Sequence, residues 1–228
     1  MTRNEAASKI ILHAQGDGAL RHLADTCRVD QAEWAEFLAA VKHLRACWGA
    51  ELAVERSVSA ALFNLRPRIE QAAGACGLNL GGWSLLGEIT SEVSRLFFSF
   101  PDEAKRPFLG RPASGWNQPV ITEVDAIHCI WFHCEGSPGA FEVARRNLQY
   151  SAGDWEDLVS AVVALQQHWR GRTLVSRPAV AALHRLPEAV DWQAEYFARV
   201  KGRDDPDVPK LHELSQRLAS EISALLKG

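Results

Sequence analysis

The sequence predicts an all-α fold of about ten helices, in two tandem similar units related by a pseudo-two-fold axis. Three observations lead there. Residues 34–65 align without gaps on 155–186, a shift that sets Trp34 on Trp155 and Trp48 on Trp169. Apolar residues recur at steps of three and four, the spacing of one helix face. Proline and glycine gather between these stripes and mark the breaks.

The aligned windows share more than their tryptophans. Val41 falls on Val162, Leu44 on Leu165, Arg56 on Arg177, and Ala60-Ala61-Leu62 on Ala181-Ala182-Leu183. Upstream, after a one-residue slip, His13 meets His133, Ile10 meets Ile130, Ala6 meets Ala126 and Thr2 meets Thr122. Gly18-Ala19 meets Gly139-Ala140. Trp is rare, so two matched pairs weigh heavily. A period this long is not that of a solenoid. It implies a duplicated unit, with boundaries 1–100 and 121–228 and a proline-rich connection at 101–120. Each unit alone is near the size at which cores become marginal. That predicts a shared interface between matching faces and one compact body.

The elements follow in order. Asn4–Gln15 and Glu123–Cys134 read as first helices, each closed by a Gly-containing turn. Gly18–Thr26 and Gly139–Leu148 read as second helices. The third pair carries the clearest stripes: Trp34, Phe37, Leu38, Val41, Leu44, Trp48, and Trp155, Leu158, Val159, Val162, Leu165, Trp169. Asp30 and Ser151 precede acidic residues by three, a capping arrangement that satisfies orphan N–H groups. Gly49 and Gly171 mark the ends. Leu52–Val54 and Leu174-Val175 suit helix continuation or a brief extended piece, and read best as connectors. The next helices begin near Ser57 and Pro178, proline being tolerated at a first helical position. Arg66-Pro-Arg68, Arg170-Gly-Arg172 and Lys201-Gly-Arg203 read as solvated turns. Trp83–Phe98 and Lys210–Leu226 close the units. Pro101–Pro119 and Arg203–Pro209 read as breakers.

Composition excludes several classes. The 228 residues carry a formal net charge of −3, which argues against a protein built to hold a phosphate backbone. No apolar run reaches the ~20 residues of a membrane span, and the N-terminus lacks a secretory pattern. Five cysteines in no paired spacing fit a reducing cytoplasm. There is no phosphate-binding glycine loop, no dinucleotide fingerprint and no nucleophile elbow. Eight tryptophans against one methionine predict core anchors, with one or two left to line a groove.

The candidate binding residues are His13, His133, Arg56, Arg177 and Trp116. His13 and His133 each precede a glycine by three. They could act together as acid and base, or sit at helix C-termini where the dipole favours them. Arg56 and Arg177 stand just before a helix N-terminus. That suits an anion or an ion pair with Glu33, Glu36, Asp154 or Asp157. Trp116 lies in the connection. Cys129 and His133, four apart on one face, are a weak metal pair. No second ligand pair accompanies them, and no metal or cofactor is expected.

The sequence leads to a non-catalytic, cytoplasmic helical interaction protein of bacterial type: an adaptor, inhibitor or immunity-type protein binding another macromolecule. A protein partner is expected, a nucleic-acid partner is not. The alternative is a small-molecule binder or enzyme with a pocket between the units near His133.

Overall fold

The structure, a computed structural model, describes residues 1–80, 83–101, 122–136 and 139–228. It is mostly helical. No described helix is long and apolar enough to cross a membrane. The chain divides into two units, Met1–Phe100 and Pro101–Gly228.

Unit 1 contains α1 (Arg3–Gln15), α2 (Ala19–Thr26), α3 (Gln31–Trp48), the extended segment β1 (Ala53–Glu55), α4 (Arg56–Leu62), α5 (Leu65–Ala75) and α6 (Ser84–Phe98). Helix α1 packs on α2, α3 and α4, while α3 also meets α6 and α2 meets α5. Thr2 starts α1 with a capping box, its hydroxyl accepting from Glu5 N while the Glu5 carboxylate accepts from Thr2 N. Asp30 caps α3 through Ala32 N and Glu33 N. The Trp34 stripe is buried along its length.

Unit 2 contains α7 (Glu123–Glu135), α8 (Ala140–Asn147), α9 (Ala152–Trp169), the extended segment β2 (Leu174–Ser176), α10 (Arg177–Val200) and α11 (Asp207–Lys227). Helix α7 packs on α8, α9 and α10, and α11 meets α9 and α10. Thr122 caps α7 through Asp125 N. The Trp155 stripe is buried as well. The first three helices have 13, 8 and 18 residues in unit 1 and 13, 8 and 18 in unit 2.

The connectors at 53–55 and 174–176 take the extended form, each with a buried central valine, Val54 and Val175. Several expectations are corrected. Ser151 makes no capping bond, so the α9 start relies on Asp154 in its first turn. Arg66-Pro-Arg68 is not a solvated turn. It lies in the first turn of α5, where Pro67 leaves no useful donor unmade. The Arg68 guanidinium there donates to the carbonyls of Ala61 and Ala14. Asp207, Val208 and Pro209 begin α11 instead of breaking the chain. Helix α10 runs on through Pro187, which has no N–H to give the preceding turn. Two of the five cysteines pair, Cys27 and Cys76 forming a disulfide, so cysteine usage does not carry the reading of a reducing compartment. The connection from 102 to 121, with Trp116, lies outside the described residues.

Gly87 sits inside α6, and a Cβ there would meet nothing within 4 Å. Gly87→Ala should therefore raise stability by about 0.5–1 kcal/mol in a urea titration, by removing chain entropy from the unfolded state.

Candidate functional site

His13 and His133 are buried, 2% and 1% exposed. Each sits in the last turn of the first helix of its unit. His13 Nδ1 accepts from Ala19 N at 3.3 Å, and His133 Nδ1 accepts from Ala140 N at 3.3 Å. Ala19 and Ala140 open α2 and α8, whose N-cap residues are Gly18 and Gly139. Glycine has no side chain to cap with, so the histidine ring of the preceding helix supplies the missing acceptor. Nδ1 therefore acts as an acceptor, and the His13 proton sits on Nε2, which faces Glu36 Oε2 at 3.2 Å. Lys9 also donates to Glu36. The Lys9 and His13 hydrogen bonds hold the Glu36 carboxyl below its ordinary value.

This geometry explains the glycines. A Cβ on Gly18 would lie 2.7 Å from both Cα and Nδ1 of His13. A Cβ on Gly139 would lie 2.1 Å from the Phe132 carbonyl oxygen and 2.9 Å from that of His133. The backbone of the second helix starts where no side chain fits. The conformation itself is ordinary, φ being −97° at Gly18 and −78° at Gly139.

Arg56 and Arg177 are the first residues of α4 and α10 and are buried, 7% and 0% exposed. Burial lowers the Arg56 guanidinium from its ordinary value. Neither is a solvated side chain waiting at a helix end. The anion reading would require a ligand inside the protein's own packing.

The indole N–H groups of the last matched tryptophans are satisfied by carboxylates. Trp48 Nε1 donates to Glu55 Oε2 at 2.7 Å, and Trp169 Nε1 donates to Glu123 Oε1 at 2.7 Å. Each carboxylate also holds an arginine, Arg3 on Glu55 and Arg172 on Glu123. Burial pushes the Glu55 carboxyl up. The hydrogen bonds from Arg3, the backbone and Trp48 outweigh it, with the Arg3 charge, so the carboxyl rests below its ordinary 4.5. A depressed folded value means stability that is present above the unfolded value and lost as pH falls through the folded one. The stability gap between wild type and Glu55→Gln, measured by urea unfolding, should therefore be widest near neutrality and narrow as pH drops below 4.5.

Cys129 is buried beside Asp157, its thiol donating toward that residue's carbonyl at 3.5 Å. Burial, with Asp157 nearby, pushes the Cys129 thiol far up, and burial pushes the Cys134 thiol up to about 12. Nucleophilic chemistry needs thiolate, which burial disfavours at both positions. Cys129 and His133 lie on one helix, with the Cys129 thiol turned to the Asp157 carbonyl and His133 Nδ1 to Ala140 N. Among the described residues, His22, Asp30 and Glu33 are a grouping whose ligand atoms lie within 4.8 Å of one another. Both partner groups already have structural work there. Asp30 caps α3, and Glu33 faces His22 Nδ1 at 3.2 Å.

One aromatic pair lies on the surface of α10. Trp192 on α10 is 56% exposed and stacks on Tyr196 with ring centroids 5.8 Å apart and planes at 11°. Val200, a further four residues on, is also exposed. The i, i+4 spacing was the available signal. It reads as a core stripe until the opposite face, with Val190, Gln193, Ala194 and Phe197, is seen to be the buried one. Compared with known proteins, the chain matches no family model, no curated sequence and no solved structure.

Proposed function

We propose that this chain is a non-catalytic helical interaction protein: an adaptor, inhibitor or immunity-type protein that binds a protein partner in the cytoplasm. We further propose that it arose by tandem duplication of one helical unit. One observation carries the functional reading. The residue pair best suited to acid–base catalysis, His13 and His133, is used by the fold. Both rings are buried, and both spend Nδ1 on the first N–H of the following helix. The equal element lengths, the matched packing partners and the paired histidine contacts support the duplication. The exposed Trp192, stacked on a half-buried Tyr196, supports a binding role, since aromatic surface is enriched at protein interfaces.

The test is a purified full-length chain run in parallel through a substrate panel and a cross-linking capture. The proposal expects no turnover, and one macromolecular partner held in a stoichiometric complex that reforms from purified components. Turnover that disappears in a folded His13→Ala or His133→Ala variant overturns it. So does capture that fails to reconstitute.

A further inference from the structure

Helix α2 depends on what holds its ends. Its eight residues are fewer than the roughly 12–15 an isolated helix needs. Its start is held by the His13 ring at Ala19. Its face buries only Ala19 and Leu23. Helix α8, of equal length in unit 2, buries Ala140, Phe141 and Ala144, and sets Phe141 against Trp155 with ring centroids 5.0 Å apart. Unit 1 has a covalent bond instead. Cys27, the left-handed residue that closes α2, is bonded to Cys76, which closes α5 49 residues along the chain. Leu148 closes α8 with the same backbone, φ 48° against 53° at Cys27, and carries no thiol.

The bond is also within reach of solvent. Cys27 is exposed and Cys76 half-buried. Exposed disulfides are the labile ones. The other contacts at this end are non-covalent: Thr26 Oγ1 donates to the His22 carbonyl of its own helix, the Cys76 sulfur lies 3.6 Å from the Leu23 carbonyl oxygen, and His22 faces Glu33 of α3.

We infer that Cys27–Cys76 is a reversible redox latch, opened by a dithiol reductant while unit 1 stays folded. A reductant thiolate attacks the Cys27 sulfur, forming a mixed disulfide and releasing Cys76 as thiolate. The second thiol of the reductant then displaces Cys27 and leaves as an internal disulfide. The dithiol loses two electrons and two protons, and the protein gains two thiols. The end of α2 then has no covalent tie to α5. The seam to which they bring Leu23, Ile69 and Ala73 loosens, while α1, α3 and α6 keep their own packing.

The experiment uses the full oxidised chain and dithiothreitol without denaturant, followed by acid quench, unfolding and alkylation. Alkylated thiols should rise from three to five. Amide exchange in α2 and at the end of α5 should speed up about tenfold or more, with α3 and α9 unchanged. The Cys27→Ser/Cys76→Ser variant should exchange like the reduced wild type. Three outcomes overturn the latch: five thiols before reductant is added, a bond that resists until denaturant is present, or exchange in α2 that either does not change or rises with the whole unit.

Discussion

Gly139→Ala is expected to be among the most damaging single methyl additions in this chain, lowering stability by at least about 3 kcal/mol. The added Cβ would stand 2.1 Å from the Phe132 carbonyl oxygen and 2.9 Å from the carbonyl oxygens of Gly136 and His133. All three are backbone atoms of the α7 end and its turn, so no side-chain rotation can relieve the clash. Relief requires α8 to retreat from α7. That lengthens the bond from Ala140 N to His133 Nδ1 and lifts Phe141 from Trp155. One methyl group thus removes a helix start, a buried hydrogen bond and an aromatic contact together. Gly18→Ala should cost less, because one of its clashes is with the His13 ring, which can tilt. Thermal and urea unfolding of both variants beside Gly87→Ala checks the argument, since the same substitution should have opposite signs at the two kinds of site. A Gly139→Ala protein within about 0.5 kcal/mol of wild type would mean that the turn does not pack as described.

These glycines also show how far the sequence could be read. The alignment picks out Gly18 and Gly139, and places a histidine before each. It does not say why, because the usual reason for a turn glycine, a positive φ, is absent at both. The reason is a close approach between two helices, and the matching acceptor is a ring six or seven residues back. No spacing rule announces that. The stripes from Trp34 and Trp155 were legible for the opposite reason, since period alone determines which face is buried. Helix α5 was missed because Arg66, Pro67 and Arg68 look like surface. The Arg68 partners, the Ala14 and Ala61 carbonyls, lie on other helices. Trp48 finds its carboxylate seven residues downstream, and Trp169 finds its own 46 residues upstream. The two sequences match at the indole and solve its hydrogen bond differently. The disulfide was missed for a related reason. It joins residues far apart in the chain, and no local pattern of cysteines sets it out.

The tryptophans give the second large effect, and one that grades by position. Trp34→Ala and Trp155→Ala should each cost about 3–5 kcal/mol, the usual penalty for a large ring removed from a packed core. Trp34 is fully buried edge-on to Phe37 and Trp83, and Trp155 is 1% exposed against Phe141 and Tyr150. The phenylalanine variants separate ring volume from hydrogen bonding. Trp34 Nε1 is buried with no acceptor among the described residues, so Trp34→Phe discards a donor that was already desolvated at a cost. It should lose under about 1.5 kcal/mol, much of it shape. Trp48→Phe and Trp169→Phe remove a donor that a carboxylate uses, Glu55 in one unit and Glu123 in the other. Each should lose about 1–3 kcal/mol beyond the volume change, because a partly buried carboxylate is left short of a partner. A further Glu55→Gln change in the Trp48→Phe background should then cost less than it does in wild type, since the two groups share one interaction. Urea titrations of the three phenylalanine variants, Glu55→Gln and that double variant decide it. If Trp34→Phe proves as harmful as Trp48→Phe, ring volume governs these sites and the carboxylate bonds contribute little.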